Sequence, residues 1–224
     1  MRDLEDFYND YWDFRKASGY LSTNNTPERI FSANNIIEKH EPKSILDVGC
    51  GEGQLGNILP DYIEKIGVDI STEALEIADE HYDETYCLNI ESDSLFEVFE
   101  NKKFECIICL ETLEHLFYPD MALQNMADLI EEDGLLISSF PNSVYWKHRL
   151  DMLFGRKLRS YTIYNDAEHI QDFTLNSFKS LLENAGFEPQ LEVPHTYQSI
   201  PRWLVELRPS LLASQIVIAA KSKN

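Results

Sequence analysis

Five apolar runs set the strongest limit on the fold. They lie at 44–50 (SILDVGC), 64–70 (EKIGVDI), 85–90 (TYCLNI), 104–111 (FECIICLE) and 134–140 (GLLISSF). Several lack apolar/polar alternation, which marks strands covered on both faces. Short helical patterns separate them, at about 54–60, 72–81, 93–100 and 120–131. Strands alternating with helices build an open, doubly wound parallel sheet. Two more strands, about 187–194 and 215–222, close the chain. The stretch between them carries three prolines near 194–209 and no full helix, so the last strand should run antiparallel.

Cap residues place the helices. Thr26 reads as an N-cap with Pro27 at the first helical position, opening a helix that carries Ile30, Phe31, Ile36 and Ile37. Ser71 or Thr72 can cap the helix of 72–81. Thr174 caps a helix over 174–185, and Gly186 ends it. An aromatic-rich helix is expected at about 4–16 and a Trp/Arg-rich one at about 143–154. The 224 residues suit one domain, 1–224. Within it, 1–25 form an N-terminal helix or lid, and 141–173 a substrate-side insertion.

Charge is uneven. Residues 1–140 hold 9 basic and 31 acidic side chains (−22), while 141–224 hold 10 and 8 (+2), for a total of −20. The acidic part argues against nucleic-acid binding, which needs Lys and Arg on phosphates. A local cluster, Lys147, His148, Arg149, Arg156, Lys157 and Arg159, reads as a solvated face or as a contact for an anionic substrate or partner. No apolar run is long enough to span a membrane. The four cysteines, Cys50, Cys87, Cys106 and Cys109, all fall in apolar segments and are expected as buried free thiols. That usage fits a reducing cytoplasm.

The first strand runs into "GCGEG". Gly49, Gly51 and Gly53 allow positive φ and let a ligand approach the backbone. Asp69 ends the next strand, sixteen residues after Gly53, where an acid can accept bonds from both hydroxyls of a ribose. The spacing is G-x-G-x-G, not the G-x-G-x-x-G of a dinucleotide site. Asp47 and Glu52 would repel a pyrophosphate, which disfavours a nicotinamide oxidoreductase. They suit a ligand with a cationic end. S-adenosylmethionine fits, with Asp47 facing its ammonium.

"ILDVGCGEGQLG" resembles motif I of the class I S-adenosylmethionine-dependent methyltransferases, and "IGVDIS" resembles their second motif; the likeness covers about residues 26–140. It implies an α/β, Rossmann-like, doubly wound seven-stranded sheet in three αβα layers, mostly parallel with the last strand antiparallel. It implies roles by position. Gly49, Gly51 and Gly53 would line the cofactor's amino acid and ribose, and Asp69 would hold the ribose hydroxyls. Ile70 would lie on the adenine, Asn89 and Ile90 at its edge, and Leu110 beside the reacting methyl. S-adenosylhomocysteine would be the product. The family often has Asp where Asn89 stands.

"SFPNSVYWKHRLDMLFGR" and "YNDAEHIQDFT" are similar to the MetW-like branch and to methyltransferases of glycan or lipid-linked pathways. The resemblance implies a small-molecule acceptor, anionic or glycan/lipid-linked, methylated at O or N. The alternative it carries is a cofactor-binding regulatory partner of a biosynthetic acyltransferase. A protein partner or a homodimer is compatible with either.

Methyl transfer to a hydroxyl or amine can need a general base, and histidine titrates in the right range. His115, in "LETLEHLFYP", follows the fourth strand; His169, in "AEHIQDFT", precedes the last long helix. Both are candidate bases. Glu111, Glu114 and His115, at i, i+3 and i+4, would share one helical face, and the stretch resembles the E-x-x-E-H of ubiquinone-biosynthesis O-methyltransferases. No metal ligand is assigned. Tyr8, Tyr11, Trp12 and Tyr20 read as a packed helix or as a lid over the site.

Overall fold

The computed structural model describes residues 4–17, 26–100, 102–156, 169–196 and 199–223. Tyr20, Lys157 and Arg159 lie outside them.

All seven expected strands form. They are β1 (Ser44–Val48), β2 (Glu64–Asp69), β3 (Glu84–Cys87), β4 (Phe104–Leu110), β5 (Ile130–Pro141), β6 (Phe187–His195) and β7 (Gln215–Ser222). They make one sheet in the order β3-β2-β1-β4-β5-β7-β6. The first five run parallel; β7 is antiparallel to both β5 and β6. The chain therefore leaves β1 and reverses direction across the sheet at β1/β4, which opens a crevice at the strands' carboxyl ends.

The helices are α1 (Leu4–Ala17), α2 (Glu28–His40), α3 (Thr72–Ala78), α4 (Leu95–Val98), α5 (Pro119–Leu129), α6 (Trp146–Leu153), α7 (Leu175–Asn184), α8 (Arg202–Leu207) and α9 (Pro209–Leu212). Alternate strand residues feed two cores, one per face. Leu46, Val48, Ile107 and Cys109 pack with Leu123 and Met126 of α5 and Phe178 and Leu182 of α7. Ile45, Cys106 and Ile108 pack with Ile30, Ala33 and Ile37 of α2. Cys106 and Cys109 thus point to opposite faces, as residues three apart on a strand must.

Four expectations change. Pro27, not Thr26, holds the N-cap position of α2, and no side chain caps it. The helix of 54–60 shrinks to a 3-10 turn at Gly56–Ile58, and that of 93–100 to four residues. Gly56 and Pro60 in the first stretch and Asp/Ser turns in the second work against a long helix. Cys87 is exposed, because β3 is an edge strand; Cys50, Cys106 and Cys109 are buried. Ser71 caps α3, and Thr174 forms a full capping box with Ser177 on α7. Among the described residues no helix is long and apolar enough to cross a membrane.

Candidate active site

The loop after β1 is a left-handed turn that only glycine adopts cheaply. Gly49, Gly51 and Gly53 have φ of +75°, +54° and +79°, which would cost a side chain about 1 kcal/mol or more each. The amides of Gly49 and Cys50 donate to the Val68 carbonyl at 2.7 and 3.0 Å, tying the loop to β2. Asp69 closes the arrangement: its Oδ2 accepts from the Gly51 amide and its Oδ1 from the Ser71 amide, each at 2.9 Å. Each carboxylate oxygen can accept twice, so the group keeps acceptor capacity for a ligand hydroxyl.

Around this loop lies a cleft of about 580 Å³ at the carboxyl ends of the parallel strands. Asp47, Gly49, Gly51, Asp69, Ile70, Asn89, Ile90, Leu110, His115 and His169 all line it. Gly53 does not line it. A Cβ there would sit 3.0 Å from Ala78 Cα, so its bareness seats the loop on α3. Gly49 also makes room for protein: a Cβ would lie 2.3 Å from Thr112 Oγ1. At Gly51 it would meet the Trp12 ring at 3.0 Å.

The cleft is acidic. Asp47, Glu52, Asp69, Glu111 and Asp172 face it, with Arg29 the single Arg or Lys among the described lining residues. Asp47 is only 4 % exposed, and the Tyr82 hydroxyl donates to its Oδ2 at 2.5 Å. Burial pushes its carboxyl up to about 7, opposed by the Tyr82 bond and reinforced by Asp69. Burial likewise raises Asp69, with its amide bonds opposing. Carboxyl groups held this way gain from a cationic ligand, which restores their charged forms. The residues present therefore fit a nucleoside with a positive end.

Helix α1 roofs the cleft. Tyr8, Tyr11 and Trp12 line it, and the Ser71 hydroxyl donates to Asn9 Oδ1 at 2.7 Å, fixing α1 to the start of α3.

The segment after β4 departs from the sequence expectation. Glu111 has φ +52°, so it is not on a helical face with Glu114 and His115; Ser139 donates to its Oε1 at 3.2 Å. The turn is 3-10 only at Leu113–His115. Glu114 points inward, fully buried, with neither carboxylate oxygen hydrogen-bonded among the described residues. Burial pushes it well above the usual carboxylate range; Glu111 adds to this and Arg29 opposes it. Its backbone carbonyl accepts from the amides of Ile170 and Gln171 at 2.8 and 2.9 Å. This strap brings His169 in: its Nε2 lies 3.9 Å from Glu114 Oε1, and its ring centroid 4.9 Å from that of His115. One donor atom from each of Glu114, His115 and His169 falls within 4.8 Å of the others. Such a set can relay a proton, or hold a divalent ion after contraction to bonding distances of about 2.1 Å.

The basic cluster mostly anchors itself. Arg149 bonds the carbonyls of Val144 and Ser210, and Arg156 pairs with Asp151 at 3.7 Å. Among its described members only His148 reaches the cleft. Sequence reasoning missed Arg29, Tyr82 and Thr112, and named Glu114 without its burial. Tyr82 and Thr112 have no local pattern that foretells their contacts; Arg29 carried a weak signal, as a cation just inside the helix that leads into the glycine-bearing strand.

Comparison with known proteins agrees with this architecture. A family model described as a methyltransferase domain matches residues 24–192. An uncharacterised protein of Methanocaldococcus jannaschii is 28 % identical over 194 residues, covering 84 % of this chain and 80 % of that protein. A ubiquinone biosynthesis O-methyltransferase of Glaesserella parasuis is 34 % identical over 109 residues; the match spans 45 % of this chain and less than half, 46 %, of that relative. Magnesium protoporphyrin IX methyltransferase from Synechocystis, solved with bound S-adenosylhomocysteine, superposes with a TM-score of 0.69 at 15 % identity over 98 % of both chains. A possible histamine N-methyltransferase from Thermotoga maritima gives 0.66 at 19 %, again over 98 % of both. The chain belongs to the class I S-adenosylmethionine-dependent methyltransferases.

Proposed function

We propose that this chain methylates O or N of a small-molecule acceptor in the cleft beyond β1 and β4. One observation carries the reading: Asp69 is fixed by the Gly51 and Ser71 amides at the floor of an acidic cleft. When bound, S-adenosylmethionine supplies an electrophilic methyl on a sulfonium. The chain's own residues do the rest. Asp69 receives the ribose diol, and Asp47 the ammonium. Ile70, Asn89 and Ile90 border the adenine, and Leu110 the methyl. Positioning and exclusion of water by α1 supply most of the acceleration. His115 and His169, both on the cleft wall, take the proton that a hydroxyl or ammonium acceptor loses. The relatives' names, an O-methyltransferase and a possible N-methyltransferase, support either atom. We place the activity in one domain, 1–224, in the cytoplasm.

Calorimetry with S-adenosylhomocysteine tests the donor half. Asp69→Ala should weaken binding at least 10-fold; unchanged affinity sinks the ribose assignment. An acceptor panel of aromatic hydroxyls and amines tests the other half. His115→Ala and His169→Ala should lower turnover and leave S-adenosylhomocysteine affinity intact. Loss of turnover on adding a chelator would move the Glu114 set from proton relay to metal binding. Tight cofactor binding with no transfer, together with co-purification of an acyltransferase, would favour the regulatory-partner reading.

A further inference from the structure

The cleft divides along the sheet. Its lining runs from the end of β3 to the end of β5, with the glycine loop of β1 in the middle. On the reading above, the donor fills the β1–β3 half, where Asp69, Ile70, Asn89 and Ile90 lie. The acceptor then meets the β4/β5 half. That half carries Glu111 after β4, Tyr145 and His148 after β5, and His169 and Asp172 on the strap. Among the described residues that line it there is no Lys or Arg. The cleft's guanidinium, Arg29, comes from α2, and its charge is already felt by the buried Glu114. Arg149 and Arg156 of the basic cluster are bonded elsewhere. An anionic acceptor would lose its water beside Glu111 and Asp172 with no cation from this half in exchange. Carboxyl groups interleaved with aromatic rings suit a cation instead.

This wall is braced. The Ser143 hydroxyl donates to Asp172 Oδ1 at 2.7 Å, and the Ser143 amide donates to the Phe173 carbonyl at 3.0 Å. Asn142 and Phe173 also form a parallel bridge. The strap is thus fastened to the segment after β5, and Asp172 is held at the cleft. His148 Nδ1 donates to the Ser143 carbonyl at 3.0 Å, and its ring meets that of Tyr145 edge-on, 4.4 Å between centroids. Across the cleft, Tyr8 of the roof meets His115 edge-on at 6.5 Å. A second, independent observation lies behind His169. Glu114 is fully buried, and neither of its carboxyl oxygens has a hydrogen-bond partner among the described residues. Its Oε1 lies 3.9 Å from His169 Nε2. A proton arriving on the His169 ring would give that orphaned group a charged neighbour.

We propose that the acceptor is an amine, bound as its ammonium between Asp172, Glu111 and the rings of Tyr145 and Tyr8, and methylated at that nitrogen. The inference rests on the methyl-donor reading above and narrows its acceptor to nitrogen. The ammonium gives one proton to neutral His169. The freed lone pair forms the new N–C bond to the donor's methyl as the S–C bond breaks, and the electrons of that bond stay on sulfur. The product nitrogen again carries a positive charge, so the same acidic wall suits the acceptor before and after transfer. Asp172 is thereby a specificity-determining residue, which separates amines from alcohols and acids of the same shape.

The test titrates matched trios into the full chain loaded with S-adenosylhomocysteine: 2-phenylethylamine, 2-phenylethanol and 3-phenylpropanoate, then hexylamine, hexanol and hexanoate. In at least one trio the amine should bind about 10-fold more tightly than its alcohol, as a charge-assisted contact would give, and the acid more weakly than either. Asp172→Asn keeps an acceptor for Ser143. It should weaken that amine about 10-fold and change the alcohol and S-adenosylhomocysteine by less than about 3-fold. Retained S-adenosylhomocysteine binding shows that the variant is folded. An alcohol or acid that binds as tightly as its amine overturns the proposal. So does the failure of every amine to bind while S-adenosylhomocysteine does, and so does equal weakening of amine and alcohol by Asp172→Asn. If the wild type does not bind S-adenosylhomocysteine, the donor reading itself fails, a result distinct from these.

Discussion

At the scale of single residues, the cleft holds carboxyl groups in unfavourable surroundings. Asp47 illustrates the cost. Its folded carboxyl sits at about 7, against about 3.9 for a free aspartate. The folded state therefore holds the proton more tightly than the unfolded one. That contribution to stability is complete below about pH 4 and is lost as pH rises through 7. Asp69 and Glu114 are shifted in the same direction. The ligand-free protein should therefore melt at lower temperature at pH 8 than at pH 5.5. In Asp47→Asn, which can still accept the Tyr82 bond, the drop should be smaller by about 5 °C, given about 2–4 °C per kcal/mol at this size. Differential scanning calorimetry at the two pH values checks it; equal drops would place Asp47 outside the effect. A cationic group placed beside Asp47 would favour its charged form and so stabilise the fold.

Elements carry these residues by their ends. Helix α7 begins with a reciprocal box in which the Thr174 hydroxyl accepts from the Ser177 amide and the Ser177 hydroxyl accepts from the Thr174 amide. That box fixes the point where the strap of His169–Phe173 meets the helix. Thr174→Ala should cost about 1 kcal/mol, seen as a lower denaturation midpoint with an unchanged slope in urea. A change in slope would mean that the substitution altered more than the cap. The β1 loop and α3 act as one unit in the same sense: Gly53 and Gly56 are bare because α3 and Tyr82 pack against them. The conformational freedom of this loop serves protein packing as much as ligand approach.

The whole molecule is a sheet whose last strand in sequence lies inside it rather than at its edge. β7 lies between β5 and β6, and seven of its eight residues, all but Lys221, are buried. It bridges both cores: Ile216 and Ile218 belong to one, Val217 and Ala219 to the other. Removing residues 215–224 would strand β6 and expose both cores at once. The truncated chain should show no cooperative melting, whereas removal of 223–224 alone should leave it intact. A folded 1–214 fragment would show that β7 is dispensable.

Fold class, strand number and the glycine loop after β1 were legible in the chain. Strands buried on both faces write themselves as unbroken apolar runs, and the G-x-G-x-G spacing records local backbone geometry. Thr174 and Gly186 were legible for the same reason, since caps are local. Other features had no local trace. Glu111 looked helical by spacing, yet it adopts φ +52° at the end of β4. Glu114 meets His169, 55 positions further along the sequence, at 3.9 Å. Gly53 resembled a ligand contact and serves α3. Arg29 joins five carboxyl side chains only because α2 sets it in the same cleft. Periodicity and caps are encoded between neighbours, so the sequence displays them. Charge balance, burial and the pairing of distant side chains arise only when the sheet brings its strand ends together.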